Sequence, residues 1–146
     1  MLKAKHHCLI YPFFRRYTLL LMKRNFHSVN VIRTNFSRNE NLPVLMIANH
    51  ISWWDGFWAM YLNLKVFHKK FYFMMLEDQL LKFRFFQWTG GFSIKKKSRE
   101  MIESLQYAAK ILDNPDNLLL IFPEGKLQSL YNPLHVFEKG IERIVE

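Results

Sequence analysis

Apolar residues along this chain gather into short runs separated by polar turns, and the runs alternate between two kinds. Residues 42–48 (LPVLMIA) and 118–122 (LLLIF) are continuous apolar stretches bounded by turn signals, as expected of strands buried on both faces. Residues 71–75 and the short stretch 92–94 read as further strands, and 29–33 is a short strand candidate. Between them lie helical patterns. One runs from the turn at Asp55 to about 67. A second spans 77–88 and is stopped by Thr89-Gly90-Gly91. The clearest covers 98–112, with Ser98 as its cap and Met101, Ile102, Leu105, Ala109 and Leu112 on one stripe. Asn114-Pro115-Asp116-Asn117 ends it, and 137–145 begins another helix. Residues 4–25 form a basic N-terminal helical segment. Its apolar runs, 9–14 and 17–22, are split by Arg15 and Arg16, and Pro12 interrupts the first. This alternation predicts an α/β sheet with helices on both faces, in which function gathers where strands end.

At 146 residues the chain fits one domain with a real core. Half its residues are hydrophobic and 16% aromatic, which excludes disorder and implies either a large core or a greasy face toward lipid. Lys and Arg number 21 against 12 acidic residues, a formal charge of +9. That balance suits nucleic acid, a phospholipid surface or a phosphorylated substrate, or it is a solubilising coat. No zinc-finger spacing or RNA-recognition signature supports the first, so no nucleic-acid partner is expected. Cys8 is the only cysteine, so an internal disulfide is excluded. No stretch approaches the ~20 apolar residues of a spanning helix, and no signal-peptide core with a small-residue cleavage site is present. The N-terminal segment, residues 1–28, suits a helix lying in the membrane interface; packing on the domain's own core is the alternative.

Two strand ends carry candidate chemistry. After residues 42–48 comes Asn49-His50-Ile51-Ser52-Trp53-Trp54-Asp55. His50 and Asp55 are five apart, which is not one helical face. Across a strand, turn and helix entry, however, the carboxylate can fold back onto one ring nitrogen and leave the other facing a cleft. That is a general base with its orienter. The structural alternatives are Asp55 or Ser52 as a helix cap and His50 as a satisfied strand-end histidine. After residues 118–122 comes Phe122-Pro123-Glu124-Gly125, in which proline ends the ladder and glycine permits a tight turn. Glu124 is thereby presented either for hydrogen bonding or as an exposed turn. A third segment, Gly90-Gly91-Phe92-Ser93-Ile94-Lys95-Lys96-Lys97, delivers clustered cations at a strand end, fit for a phosphate or a solvated face.

Taken in order, NHISWWD, the Gly-Phe-Ser-Ile-basic segment about 40 residues on, FPEG and then FEKG at 137–140 resemble the glycerophospholipid acyltransferase family, of the 1-acylglycerol-3-phosphate acyltransferase type. The resemblance covers roughly residues 40–145. It implies an α/β fold with a mixed sheet flanked by helices, similar to glycerol-3-phosphate acyltransferase, over residues 29–146. It implies that His50, oriented by Asp55, takes the proton of an acceptor hydroxyl that then attacks the thioester of acyl-CoA or acyl carrier protein. Neither a metal, an acyl-enzyme nor a further cofactor is implied. The acceptor implied is lysophosphatidic acid or a related glycerolipid at the cytoplasmic face of a membrane. Asn49, Pro123, Glu124 and Gly125 fall in the substrate-binding blocks, and Lys96 stands nearest to the family's phosphate-binding residue. There are departures. Lys96 replaces an arginine and loses its planar fork. Lys126-Leu127 replace Thr-Arg. The family's fourth block and closing strands do not follow, so the chain is expected to be C-terminally truncated, with an exposed sheet edge. The alternative is an inactive membrane-binding module of the same fold.

Overall fold

The computed structural model describes residues 1–32, 41–96, 98–131 and 136–145. Its centre is a four-stranded sheet in the order β1-β4-β2-β3: β1 is Val44–Ile47, β2 Lys70–Leu76, β3 Gly91–Ile94 and β4 Asn117–Ile121. All three pairings among these strands are parallel, so they do not form a mixed sheet; the one antiparallel bridge described, His6 with Thr89, lies outside them. β4 is buried along its whole length, which explains its unbroken apolar run.

Helices cover both faces. α1 (Ile10–Asn25) and α2 (Asp55–Leu62, continued by a π-helical turn Asn63–Phe67) lie on one face. There Phe14, Ala59 and Met60 pack on Phe71, Leu118 and Leu120. α4 (Glu100–Ile111) and α5 (Glu142–Val145) lie on the other, where Leu105, Ala108, Ile111 and Ile144 pack on Phe92, Leu119 and Ile121. α3 (Glu77–Lys82) and a 3-10 turn (Arg84–Trp88) link β2 to β3, so the helix expected over 77–88 breaks at Phe83. Because the strands are parallel, all four carboxyl ends share one rim. After β1 the chain passes to α2 on one face, and after β4 it passes to α5 on the other. These neighbouring strands therefore diverge at a switch point, where a crevice opens.

Several expectations shift. The N-terminal helix starts at Ile10; residues before it form an extended arm against the β3 edge. Lys5 N–H donates to Gln87 O at 2.8 Å, His7 N–H to Trp88 O at 3.1 Å, and Ser93 N–H to Leu2 O at 2.9 Å. The arm thus covers a strand edge that would otherwise be open. It crosses Gly90, whose φ of 106° and close approach to Phe71 O and His6 leave no room for a Cβ. Pro12 falls in the first turn of α1, where a missing N–H costs least. α1 buries Phe14, Thr18 and Met22 and leaves Phe13, Tyr17 and Leu20 exposed, so it has both a core face and an outward apolar row.

The buried stripe of α4 is Ser104, Leu105, Ala108 and Ile111; of the expected set Leu105 is buried, Met101 and Leu112 pack half-buried on the core, Ala109 is half-buried, and Ile102 is exposed. Ser104 can enter the core because its hydroxyl donates to Glu100 O at 3.0 Å. Ser98 does not cap this helix; its hydroxyl donates back to Lys95 O. Residues 29–32 form no strand, and Val31 and Ile32 are exposed; Arg33 lies outside the described residues.

Candidate active site

The turn between β1 and α2 is held by one carboxylate. Asp55 is the first residue of α2, a position favourable for negative charge. Its Oδ2 accepts from Ile51 N–H at 2.8 Å and Ser52 N–H at 2.9 Å, and its Oδ1 accepts from the Ser52 hydroxyl at 2.6 Å. His50 Nδ1 lies 3.0 Å from the same Oδ2. Burial alone would raise the Asp55 pKa. The Ser52 hydroxyl and amide, His50 and the Ile51 amide outweigh it and hold the carboxyl below its ordinary value. With Asp55 ionised, this geometry assigns the proton to Nδ1 and leaves the lone pair on Nε2.

The backbone and ring of His50 are fixed from β4. Its N–H donates to Glu124 Oε2 at 3.0 Å, and its carbonyl accepts from Gln128 N–H at 2.7 Å. Its ring stacks on Phe122 with centroids 4.1 Å apart and 16° between planes. Glu124 is 2% exposed, which is unusual for a carboxylate and points inward to the loop rather than to solvent. Gly125 follows with φ of 62°, its N–H donating to Phe122 O at 3.0 Å. This left-handed turn reverses the chain at the end of β4.

A cavity of about 830 Å³ opens beside this corner. His50, Lys96, Pro123 and Gly125 all line it. Its lining is mostly apolar, with Phe57, Phe73, Met74, Leu105 and Ile144 among its walls. Size and lining suit a ligand with a long hydrocarbon part and a small polar end. Among the described residues no group of histidine, cysteine and carboxylate side chains could hold a metal ion.

The family model for acyltransferases matches residues 8–146, nearly the whole chain. The chain belongs to the acyltransferase family. No curated protein and no solved structure matches it. The parallel sheet flanked by helices is consistent with the acyltransferase fold, and acyl transfer is the chemistry that membership supports.

For this acyltransferase the structure brings His50 and Asp55 into contact and sets the Pro123-Glu124-Gly125 turn beside them. Lys96 arrives from β3 at the same cavity. Glu124 meets the His50 backbone instead of lining the cavity, and Asn49 is exposed and does not line it. Three participants have roles that the sequence does not assign to them. Phe122 supports the imidazole face. Ser52 braces Asp55, and its spacing three residues before an acidic residue was the available signal. Glu138 pairs with Lys96 at 2.7 Å, and no local pattern announces that contact.

Proposed function

We propose that this acyltransferase moves a fatty acyl group from acyl-CoA or acyl carrier protein to a hydroxyl of lysophosphatidic acid or a related glycerolipid, in phospholipid biosynthesis at the cytoplasmic face of a membrane. The observation that carries the reading is the 3.0 Å contact between His50 Nδ1 and Asp55 Oδ2 at an apolar cavity. His50 Nε2 takes the proton of the acceptor hydroxyl as its oxygen bonds to the thioester carbonyl carbon. Collapse of the adduct breaks the C–S bond, and the imidazolium returns its proton to the leaving thiolate. Asp55 keeps the ring in the productive tautomer and stabilises the imidazolium. Glu124 acts as a positioning residue through the His50 amide, while Pro123 and Gly125 shape the cavity mouth. Asn49 stands on the same loop at the surface.

The acyl chain suits the apolar walls, and the lysines that line the cavity, Lys96 among them, suit the phosphates of donor or acceptor. No described helix is long and apolar enough to cross a membrane. Surface binding instead suits residues 1–28. Phe13 and Leu20 are 69% and 67% exposed on α1, beside Arg16, Lys23 and Arg24, a combination attracted to an anionic leaflet.

The test is thiol release from an acyl thioester with lysophosphatidic acid as acceptor, comparing parent and His50→Ala. A fall of roughly 10²–10⁴ in rate is expected. Equal rates would remove His50 as the base. A folded parent that releases no thiol but binds anionic vesicles would instead be a membrane-binding module.

A further inference from the structure

Lys96 crosses the rim from the end of β3 to the turn after β4. Its Nζ lies 2.7 Å from Glu138 Oε1. A Cβ on Gly125 would come within 2.5 Å of that Nζ, so the glycine is what lets the ammonium group sit over the turn. Glu138 is tied to the same turn, since its N–H donates to Pro123 O at 2.8 Å. Lys96, Gly125 and Glu138 all line the cavity that His50 lines, as do Lys126 and Lys139.

We propose that Glu138 selects the acceptor: its carboxylate occupies Lys96 at the cavity mouth, and an acceptor bearing a phosphate must take its place. The inference rests on the acyl-transfer reading and names a determinant of acceptor choice within it. The side chains of the pair are 35% and 59% exposed, so it is held weakly against solvent. A phosphate, with more charge and three acceptor oxygens, displaces a single carboxylate from an ammonium group. Displacement does not remove the carboxylate. The backbone bond to Pro123 O keeps Glu138 at the turn, where its charge then faces the phosphate. An uncharged glycerolipid meets no such opposition. Lys126 and Lys139 keep the rim positive overall, so Glu138 reduces the preference for a phosphate without abolishing it.

The experiment uses Glu138→Gln, which keeps the side-chain size and leaves the backbone bond to Pro123 possible. Two quantities are read: the ratio of kcat/KM for lysophosphatidic acid over monoacylglycerol, and direct binding of lysophosphatidic acid without thioester, followed by tryptophan fluorescence because Trp53 lines the cavity. The ratio should rise about three- to tenfold, through KM for the phosphate-bearing acceptor, and binding should tighten by a similar factor. Both gains should shrink when Lys96→Met is already present. An unchanged or reduced ratio overturns the proposal; a reduced one would make Glu138 a support for Lys96 instead of its competitor. Should the parent release no thiol with either acceptor, the acyl-transfer reading fails, and the binding arm still decides whether Glu138 opposes the phosphate.

Discussion

The two sides of the cavity mouth are built on different principles. On the β1 and β4 side, hydrogen bonds converge. The Asp55 carboxylate receives two backbone N–H groups, a hydroxyl and an imidazole, while His50 is fixed by its amide, its carbonyl and its ring face. The Asp55 side chain is only 11% exposed. On the β3 side, Lys96 is a long flexible chain whose charge meets one carboxylate at a partly exposed position. Proton transfer needs a ring held to within a fraction of an ångström. Recognition of a headgroup tolerates, and gains from, a cation that can move. In the proposed reaction, rigidity falls where the bond is made and compliance where the acceptor is held.

Substitutions should divide along that line. His50→Ala is expected to have the largest effect on rate, the ~10²–10⁴ loss stated above, with a far smaller effect on folding than on turnover. Next comes Asp55→Asn. It should lower thiol release by at least ~10², and by removing a charged acceptor of several hydrogen bonds it should lower stability by about 2–3 kcal/mol in urea unfolding.

The same variant tests the pH dependence. The folded-state pKa of Asp55 is depressed, so in acid the unfolded chain binds more protons at this group than the folded one. The stabilisation is whole above about pH 5 and is lost as pH falls through the folded-state value. The parent should therefore lose urea resistance faster than Asp55→Asn on acidification from about pH 5. Parallel curves would mean that the converging hydrogen bonds do not hold the carboxyl as described.

Gly125→Ala should act between the two sides. A left-handed φ and a methyl against Lys96 predict a loss of about 1–2 kcal/mol, together with a higher KM for the acceptor as the ammonium group is pushed aside. The smallest stability effect is expected for Lys96→Met, less than about 1 kcal/mol, because its ion pair is partly exposed. Its signature should be in KM for a phosphate-bearing acceptor and not in kcat. A large fall in kcat would place Lys96 in the chemistry and erase the contrast.

How far the chain could be read depended on the range of the interaction. The LLLIF and LPVLMIA runs announced β4 and β1 because burial on both faces imposes a continuous apolar stretch. The pairing of His50 with Asp55 was legible because five residues span a single turn. The α4 stripe was legible only in part, at Leu105, Met101 and Leu112, and Ser104 escapes it because it counts as polar in a pattern, although a hydrogen bond within its own helix lets it be buried. The extended arm before Ile10 was missed because its register comes from β3 and from the space left by Gly90, neither of which is local to it.

By itself, the sequence determined the α/β alternation, the strand ends that meet at the cavity and the contact of His50 with Asp55, since each follows from periodicity or from neighbours within one turn. Tertiary structure alone decided that β4 inserts between β1 and β2, bringing Glu124 onto the His50 amide from 74 residues away. It also decided that Lys96 meets Glu138 over Gly125. Strand order and the reach of long side chains are set by how whole layers pack, and no local pattern encodes that packing.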